Sequence, residues 1–237
     1  MPPSLLVVCA TAAERDAAGS LLSASVAPAG RDADRPAMPA DLVCARTAGG
    51  RVDLLVGGVG VAAAAAATSA ALARGRYDVV ISTGIAGGFA PVPLGATVIA
   101  TAVVQADLGA EDGSGFLPLS ALGLGSERHD LDPALGRQLA ARTGALCGAV
   151  LTVSTVTGSA ATAAARRERC PDAVAEAMEG AGVLAAAQRH GVAFAEVRTV
   201  SNAVGPRNRD AWQIGPALTA LGRAVAAMTA EPWELSS

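Results

Sequence analysis

Short apolar runs rich in Val, Ile, Leu and Thr alternate along this chain with alanine-rich, helix-forming stretches, and that alternation leaves few folds open. Runs at 5–10, 51–56, 78–82, 96–105, 149–157 and 193–201 have the composition of strands. Stretches at 12–22, 61–74, 132–142, 160–169, 181–189 and 212–228 carry helix formers. Asp132 and Pro133 supply an N-cap and a first-turn proline to one of them. Residues 41–47 and 51–56, joined by Ala48-Gly49-Gly50, read as an antiparallel hairpin. The pattern predicts an α/β fold, one domain over residues 1–237, with a mixed but largely parallel central sheet flanked by helices. No low-complexity linker or charge block divides the chain.

Half of the residues are apolar and only 3% are aromatic, so the core has to be built from Ala, Val and Leu. The net charge is −3 and the basic residues, all arginine, are scattered, which argues against a nucleic-acid partner. Cys9, Cys44, Cys147 and Cys170 show no metal-ligand spacing, and they are expected to be reduced and mostly buried. The N-terminus lacks a signal-peptide pattern, and no stretch reaches the roughly 20 apolar residues that span a bilayer. A cytoplasmic protein without a membrane partner is expected. His129 falls in a polar loop and His190 at a helix end; both read as surface or capping residues.

Several stretches could carry chemistry. Gly57-Gly58-Val59-Gly60 stands between a strand and a helix, where backbone N–H groups face an anion or a polar ligand. Gly58 and Gly60 with Ala63 match a loose dinucleotide fingerprint, but no second strand ends in an acidic residue about 20 positions on, so a nicotinamide site is rejected. Glu14 lies at a strand-to-helix turn, where an acidic residue is also favourable to the helix dipole. The glycines in 83–88 either form a tight turn or let backbone approach a ligand. Residues 106–125 read as a long irregular loop, and 26–40 as an exposed excursion. Residues 172–178 are ambiguous between helix and strand. Val200-Ser201-Asn202 ends a strand, before Gly205, Pro206, Arg207 and Arg209.

In this order, Glu14, Gly58-Val59-Gly60, Ser82-Thr83-Gly84-Ile85-Ala86-Gly87-Gly88, Met178-Glu179-Gly180 and Val200-Ser201-Asn202 resemble the purine nucleoside phosphorylase and nucleosidase superfamily. The branch most similar is that of the methylthioadenosine/S-adenosylhomocysteine nucleosidases. Residues 106–111 (Ala-Asp-Leu-Gly-Ala-Glu), with Ser201-Asn202 and Gly205-Pro206-Arg207, look most like the futalosine hydrolases, which release hypoxanthine on the futalosine route to menaquinone. The resemblance implies a nucleoside phosphorylase-like fold, a small-molecule nucleoside substrate, no cofactor or metal, and a homodimer or higher homo-oligomer. It also implies an extended conformation for 172–178.

By the same resemblance, Glu14 acts on the nucleophilic water, Glu179 grips the ribose hydroxyls and Met178 packs on the sugar. Ile85, Ala86, Gly87, Val156 and Ser201 are implied as base and backbone contacts. Asn202 departs from the Asp of adenine-releasing members. An ionised Asp only accepts hydrogen bonds, whereas an amide can donate to O6 or N7, which points to a 6-oxopurine. Phosphorylases of the superfamily carry an arginine in or near the block that here reads Ile81-Ser82-Thr83-Gly84, where none stands; water is the implied acceptor. Arg207 and Arg209 are either solvent-exposed or meet a carboxylate on the 5′ group, which Phe116 could cover. Trp212 reads as a core anchor. Other purine nucleosides (aminodeoxyfutalosine, methylthioadenosine or inosine), phosphorolysis, and non-catalytic nucleoside binding stay open as alternatives.

Overall fold

The computed structural model describes residues 3–22, 27–28, 42–113 and 115–233. Twelve strands and six α-helices alternate among them: β1 (Ser4–Cys9), α1 (Ala12–Gly19), β2 (Ala27–Pro28), β3 (Leu42–Thr47), β4 (Gly50–Val56), α2 (Val61–Leu72), β5 (Val79–Gly88), β6 (Thr97–Gln105), β7 (Gly109–Asp112), β8 (Gly115–Pro118), β9 (Arg128–Asp130), α3 (Pro133–Thr143), β10 (Leu146–Thr152), α4 (Ala160–Arg169), β11 (Ala173–Ala177), α5 (Gly180–His190), β12 (Ala193–Ala203) and α6 (Ile214–Thr229). One 3-10 turn, Arg209–Ala211, precedes α6. The stretch read as an exposed excursion lies outside the described residues, apart from the two of β2.

Nine strands run in the order β11-β10-β6-β12-β5-β1-β4-β3-β2, with β9 added beside β6. The pairs β4–β1, β1–β5, β5–β12 and β6–β10 are parallel, whereas β3–β4 and β12–β6 are antiparallel. The sheet is therefore mixed, as expected. β11 pairs with β10 and also, antiparallel, with β5, so β5, β12, β6, β10 and β11 close on themselves. Closure covers part of the edge that β11 would otherwise present on that side of the sheet.

Apolar residues cover both faces of the sheet. One cluster joins Val7, Leu54, Ile81 and Val197 to α3 and α6 through Leu139, Leu221, Val225 and Met228. The other joins Val8, Leu55 and Val80 to α2 and α5 through Ala64, Ala71, Val183 and Leu184. Small side chains let α2 and α5 approach closely; at Gly182 a methyl group would run into the Val61 carbonyl. Alanine richness thus has a packing use here, since a thin helix surface brings two helix starts together at the sheet's carboxyl edge.

Four expectations need correction. The strand read as ending at Ser82 continues to Gly88, which excludes the tight turn among the two readings of 83–88, because β12 pairs all along the segment and β11 joins it at Gly87 and Gly88. The long loop contains the hairpin β7–β8. β10 starts earlier than read and ends at Thr152, leaving 153–158 as a connection to α4. The cysteines are all free, but Cys147 is exposed and Cys44 only half-buried. The extended conformation of 172–178 is borne out by β11.

Candidate active site

Glu14 is held at the start of α1 by its own local sequence. Thr11 is the N-cap, and Glu14, three residues on, completes a capping box by accepting from the Thr11 N–H at 3.0 Å. That contact and the Thr11 hydroxyl occupy Oε2, so Oε1 is aimed across to β5, where it accepts the Ile85 N–H at 2.9 Å. The dipole-favoured position is thus also the one from which Glu14 reaches β5.

Glu179 arrives from the turn between β11 and α5. Its Oε1 accepts the Gly60 N–H at 3.2 Å, and its Oε2 accepts the Met178 N–H at 3.3 Å. Gly60 is the N-cap of α2 with φ +89°, a conformation glycine takes at little cost. The glycine turn does present an N–H to an anion, and that anion is the Glu179 carboxylate. Met178 is half-buried beside it.

Arg198, unmarked in the sequence pattern, links the two carboxylates. It lies on β12 with 1% of its surface exposed. Its Nε donates to Glu196 Oε1 at 2.9 Å, one terminal nitrogen donates to Ser82 Oγ at 2.9 Å, and the other faces Glu179 Oε2 at 3.4 Å. A methyl group built at Gly84 would lie 2.5 Å from Glu14 Oε1 and 3.0 Å from that same nitrogen, which puts Glu14 and Arg198 side by side. Burial works against the Arg198 charge, yet Glu196, Glu179 and Glu14 outweigh it and hold the guanidinium above its ordinary pKa. Burial pushes the Glu196 carboxyl up, against the pull of Arg198. Three carboxyl groups surround one cation.

Asn202 stands at the end of β12, opposite Gly87 of β5, and Glu176 of β11 pairs with the same Gly87 from the other side. A small cavity there is lined by Gly87, Val156, Thr157, Glu176, Asn202, Arg207 and Trp212. The Asn202 amide donates to the Ala203 carbonyl at 3.0 Å, and its oxygen lies 2.9 Å from Ser201 Oγ. Ser201 also reaches the Ala86 carbonyl at 3.2 Å. Val156 is pinned by a buried network that sequence patterns did not reveal either. Glu176 accepts the Thr157 N–H at 2.7 Å and Arg166 at 2.6 Å, while Arg166 donates to the Thr155 carbonyl.

Arg207 and Arg209 place their guanidinium groups 5.6 and 5.8 Å from the centre of the Trp212 ring. Trp212 is thus no core anchor: it is half-exposed, between two arginines, at the cavity rim. Phe116 sits on β8 with the Arg169 guanidinium 4.7 Å from its ring centre. His190 contacts Ser69 at the far end of α5, and His129 lies on β9. Among the described residues, no cluster of His, Cys, Asp and Glu is disposed to hold a metal ion. None of their helices is long and apolar enough to cross a membrane.

The comparisons with known proteins bear on family and fold. Residues 4–230 match the family model of the phosphorylase superfamily. A futalosine hydrolase of Streptomyces coelicolor is 52% identical over 97% of this chain and 97% of its own. One of Acidothermus cellulolyticus is 46% identical over 95% of this chain and 90% of its own. In fold, the 5′-methylthioadenosine/S-adenosylhomocysteine nucleosidase of Neisseria meningitidis, solved with methylthio-immucillin-A, superposes with a TM-score of 0.77 at 23% identity, covering 96% of this chain and 99% of that one. The chain therefore belongs to the phosphorylase superfamily and, within it, to the futalosine hydrolase family.

Proposed function

We propose that this chain hydrolyses the N-glycosidic bond of futalosine, releasing hypoxanthine, as a step in menaquinone biosynthesis. Breaking that bond builds positive charge on the ribose, as in glycoside cleavage generally. Glu14 Oε1, beside the Ile85 N–H, is the base for the attacking water, a role worth about 10²–10⁴-fold. Glu179 accepts the ribose hydroxyls, and its charge favours the cationic ring; Met178 packs against the sugar. Asn202 keeps one amide hydrogen on Ala203 and offers the other to O6 or N7 of the departing base. Ile85, Ala86, Gly87, Val156 and Ser201 shape the base site.

The observation that carries hydrolysis over phosphorolysis is the charge around Arg198. This arginine comes from β12 and is committed to Glu196, Ser82 and Glu179, with Glu14 beside it. Phosphate brought here meets carboxylates and a cation already taken up by them, whereas water needs only a base. For the 5′ group we propose Arg207 and Arg209 at the rim, with Phe116 covering it from the same or a partner subunit. We further propose a cytoplasmic location and a homodimer or larger homo-oligomer; the exposed Leu108 and Leu124, before and after the β7–β8 hairpin, favour the association.

Incubation with futalosine, inosine and methylthioadenosine, with and without phosphate, followed by chromatography of the released bases, tests the reading. Hypoxanthine from futalosine at a phosphate-independent rate is expected, with Glu14→Gln binding futalosine without turning it over. Phosphate-dependent cleavage, adenine release from methylthioadenosine as the main activity, or an active Glu14→Gln would overturn it.

A further inference from the structure

We propose that Glu196, a buried carboxyl group to which the reaction assigns no chemical step, is a positioning residue. It holds the Arg198 guanidinium in the orientation that leaves Glu14 and Glu179 available to water and ribose. The inference rests on the roles given to Glu14 and Glu179 above.

Glu196 and Arg198 are two residues apart on β12, so their side chains leave the same face of the strand. Glu196 is fully buried, in contact with the start of α5: a methyl group at Gly180 would collide with its carboxylate. One oxygen accepts the Arg198 Nε hydrogen at 2.9 Å. The other, Oε2, has no hydrogen-bond partner. A buried carboxyl group with an orphaned oxygen is poorly explained by stability, because apolar replacements of buried ion pairs are often neutral or stabilising.

Orientation explains it better. A guanidinium carries five donors in a rigid fork and prefers bidentate pairing with a carboxylate. With Nε tied to Glu196 and one terminal nitrogen tied to Ser82, a single edge remains for the site, and it faces Glu179 at 3.4 Å. Released from Glu196, the fork can turn onto Glu14 or Glu179 and occupy the lone pairs that water and ribose need. The requirement is an acceptor at that position, and an uncharged acceptor suffices.

The test compares Glu196→Gln, Glu196→Leu and Glu196→Asp, with Glu14→Gln in parallel, by kcat/KM for futalosine and by thermal unfolding. Gln keeps an acceptor at the same reach. Leu removes it, and Asp keeps the charge but withdraws the acceptor. Leu and Asp are expected to lose about 100-fold, the scale of a misplacement near 1 Å, while Gln stays within several-fold of the parent. The Leu variant leaves the buried Arg198 without its strand partner and is expected to melt lower than the parent, so the comparison of Gln with Asp, which both keep a polar group beside the cation, separates activity from stability. Parental activity in Glu196→Leu, or Asp outperforming Gln, would overturn the proposal. If Leu fails to fold, the order of Gln and Asp decides alone. An active Glu14→Gln counts against the role of Glu14; an inactive one with equal Gln and Asp variants counts against Glu196.

Discussion

Gly84→Ala is the substitution that most directly probes the site. Gly84 lies within β5 at φ +155°, and an added methyl group would stand 2.5 Å from Glu14 Oε1 and 3.0 Å from a terminal nitrogen of Arg198. Carbon–oxygen contacts settle near 3.3–3.6 Å, so the carboxylate has to withdraw by roughly 0.8 Å. Doing so breaks its bond to the Ile85 N–H, because Thr11 fixes the other oxygen. A displacement of that size at a reacting group costs on the order of 100-fold in kcat/KM. Backbone strain adds about 1–3 kcal/mol, well inside the 5–15 kcal/mol that keeps a domain folded. For a chain of this size that lowers the melting temperature by roughly 2–12 °C.

Gly95→Ala is the matched control: φ there is +78°, and nothing lies within 4 Å of the added methyl group. Both variants are expected to lose stability, and only Gly84→Ala to lose activity. Hypoxanthine release from futalosine, followed by chromatography beside thermal unfolding curves, reads both quantities. Equal kcat/KM in the two variants would refute the placement of Glu14 at the reacting water.

Asn202→Asp replaces a donor by an acceptor-only group, so the ratio of futalosine to aminodeoxyfutalosine turnover is expected to fall by about 10² or more; an unchanged ratio removes the specificity argument. In a thiol titration at pH 8, Cys147, which is exposed, is expected to react first. Cys170 is pushed up to about 11 by burial and then by Asp172, and Cys9 is raised further by burial and then by Glu14. A raised pKa lowers the thiolate fraction at fixed pH, so these two should react only on unfolding; fast reaction of either contradicts their burial.

The α/β alternation was legible because strand and helix periods are local properties of the chain, and the failures fall where partners override local preference. Glycines in 83–88 read as breakers, yet β12 pairs all along the segment and β11 joins it at Gly87 and Gly88, which keeps β5 extended. The hairpin β7–β8 was hidden because it is short and carries Asp and Glu; its pairing comes from register, which composition does not record. Residues 172–178 were undecidable by propensity, since Ala and Glu favour helix. Burial between β10 and β5 makes the segment a strand.

The site divides along a similar line. Glu14, Glu179 and Asn202 sit at element ends, where breaks in pattern mark them. Arg198 and Glu196 lie inside a strand and read simply as part of an apolar run. Still, a signal was present. In Ala193–Ala203 two opposite charges stand two residues apart, on one face of a strand that is otherwise almost wholly buried. A lone charge in such a strand costs several kcal/mol, so a charged pair with period 2 has to be satisfied inside the protein. Its ion partner supplies only one contact, and a guanidinium has five N–H groups to place. The remaining donors therefore require further acceptors in the interior, and in this fold those are Ser82 and Glu179. An arginine inside an apolar strand, with more donors than its strand partner can absorb, thus points from the residue pattern alone to a neighbouring cluster of acceptors.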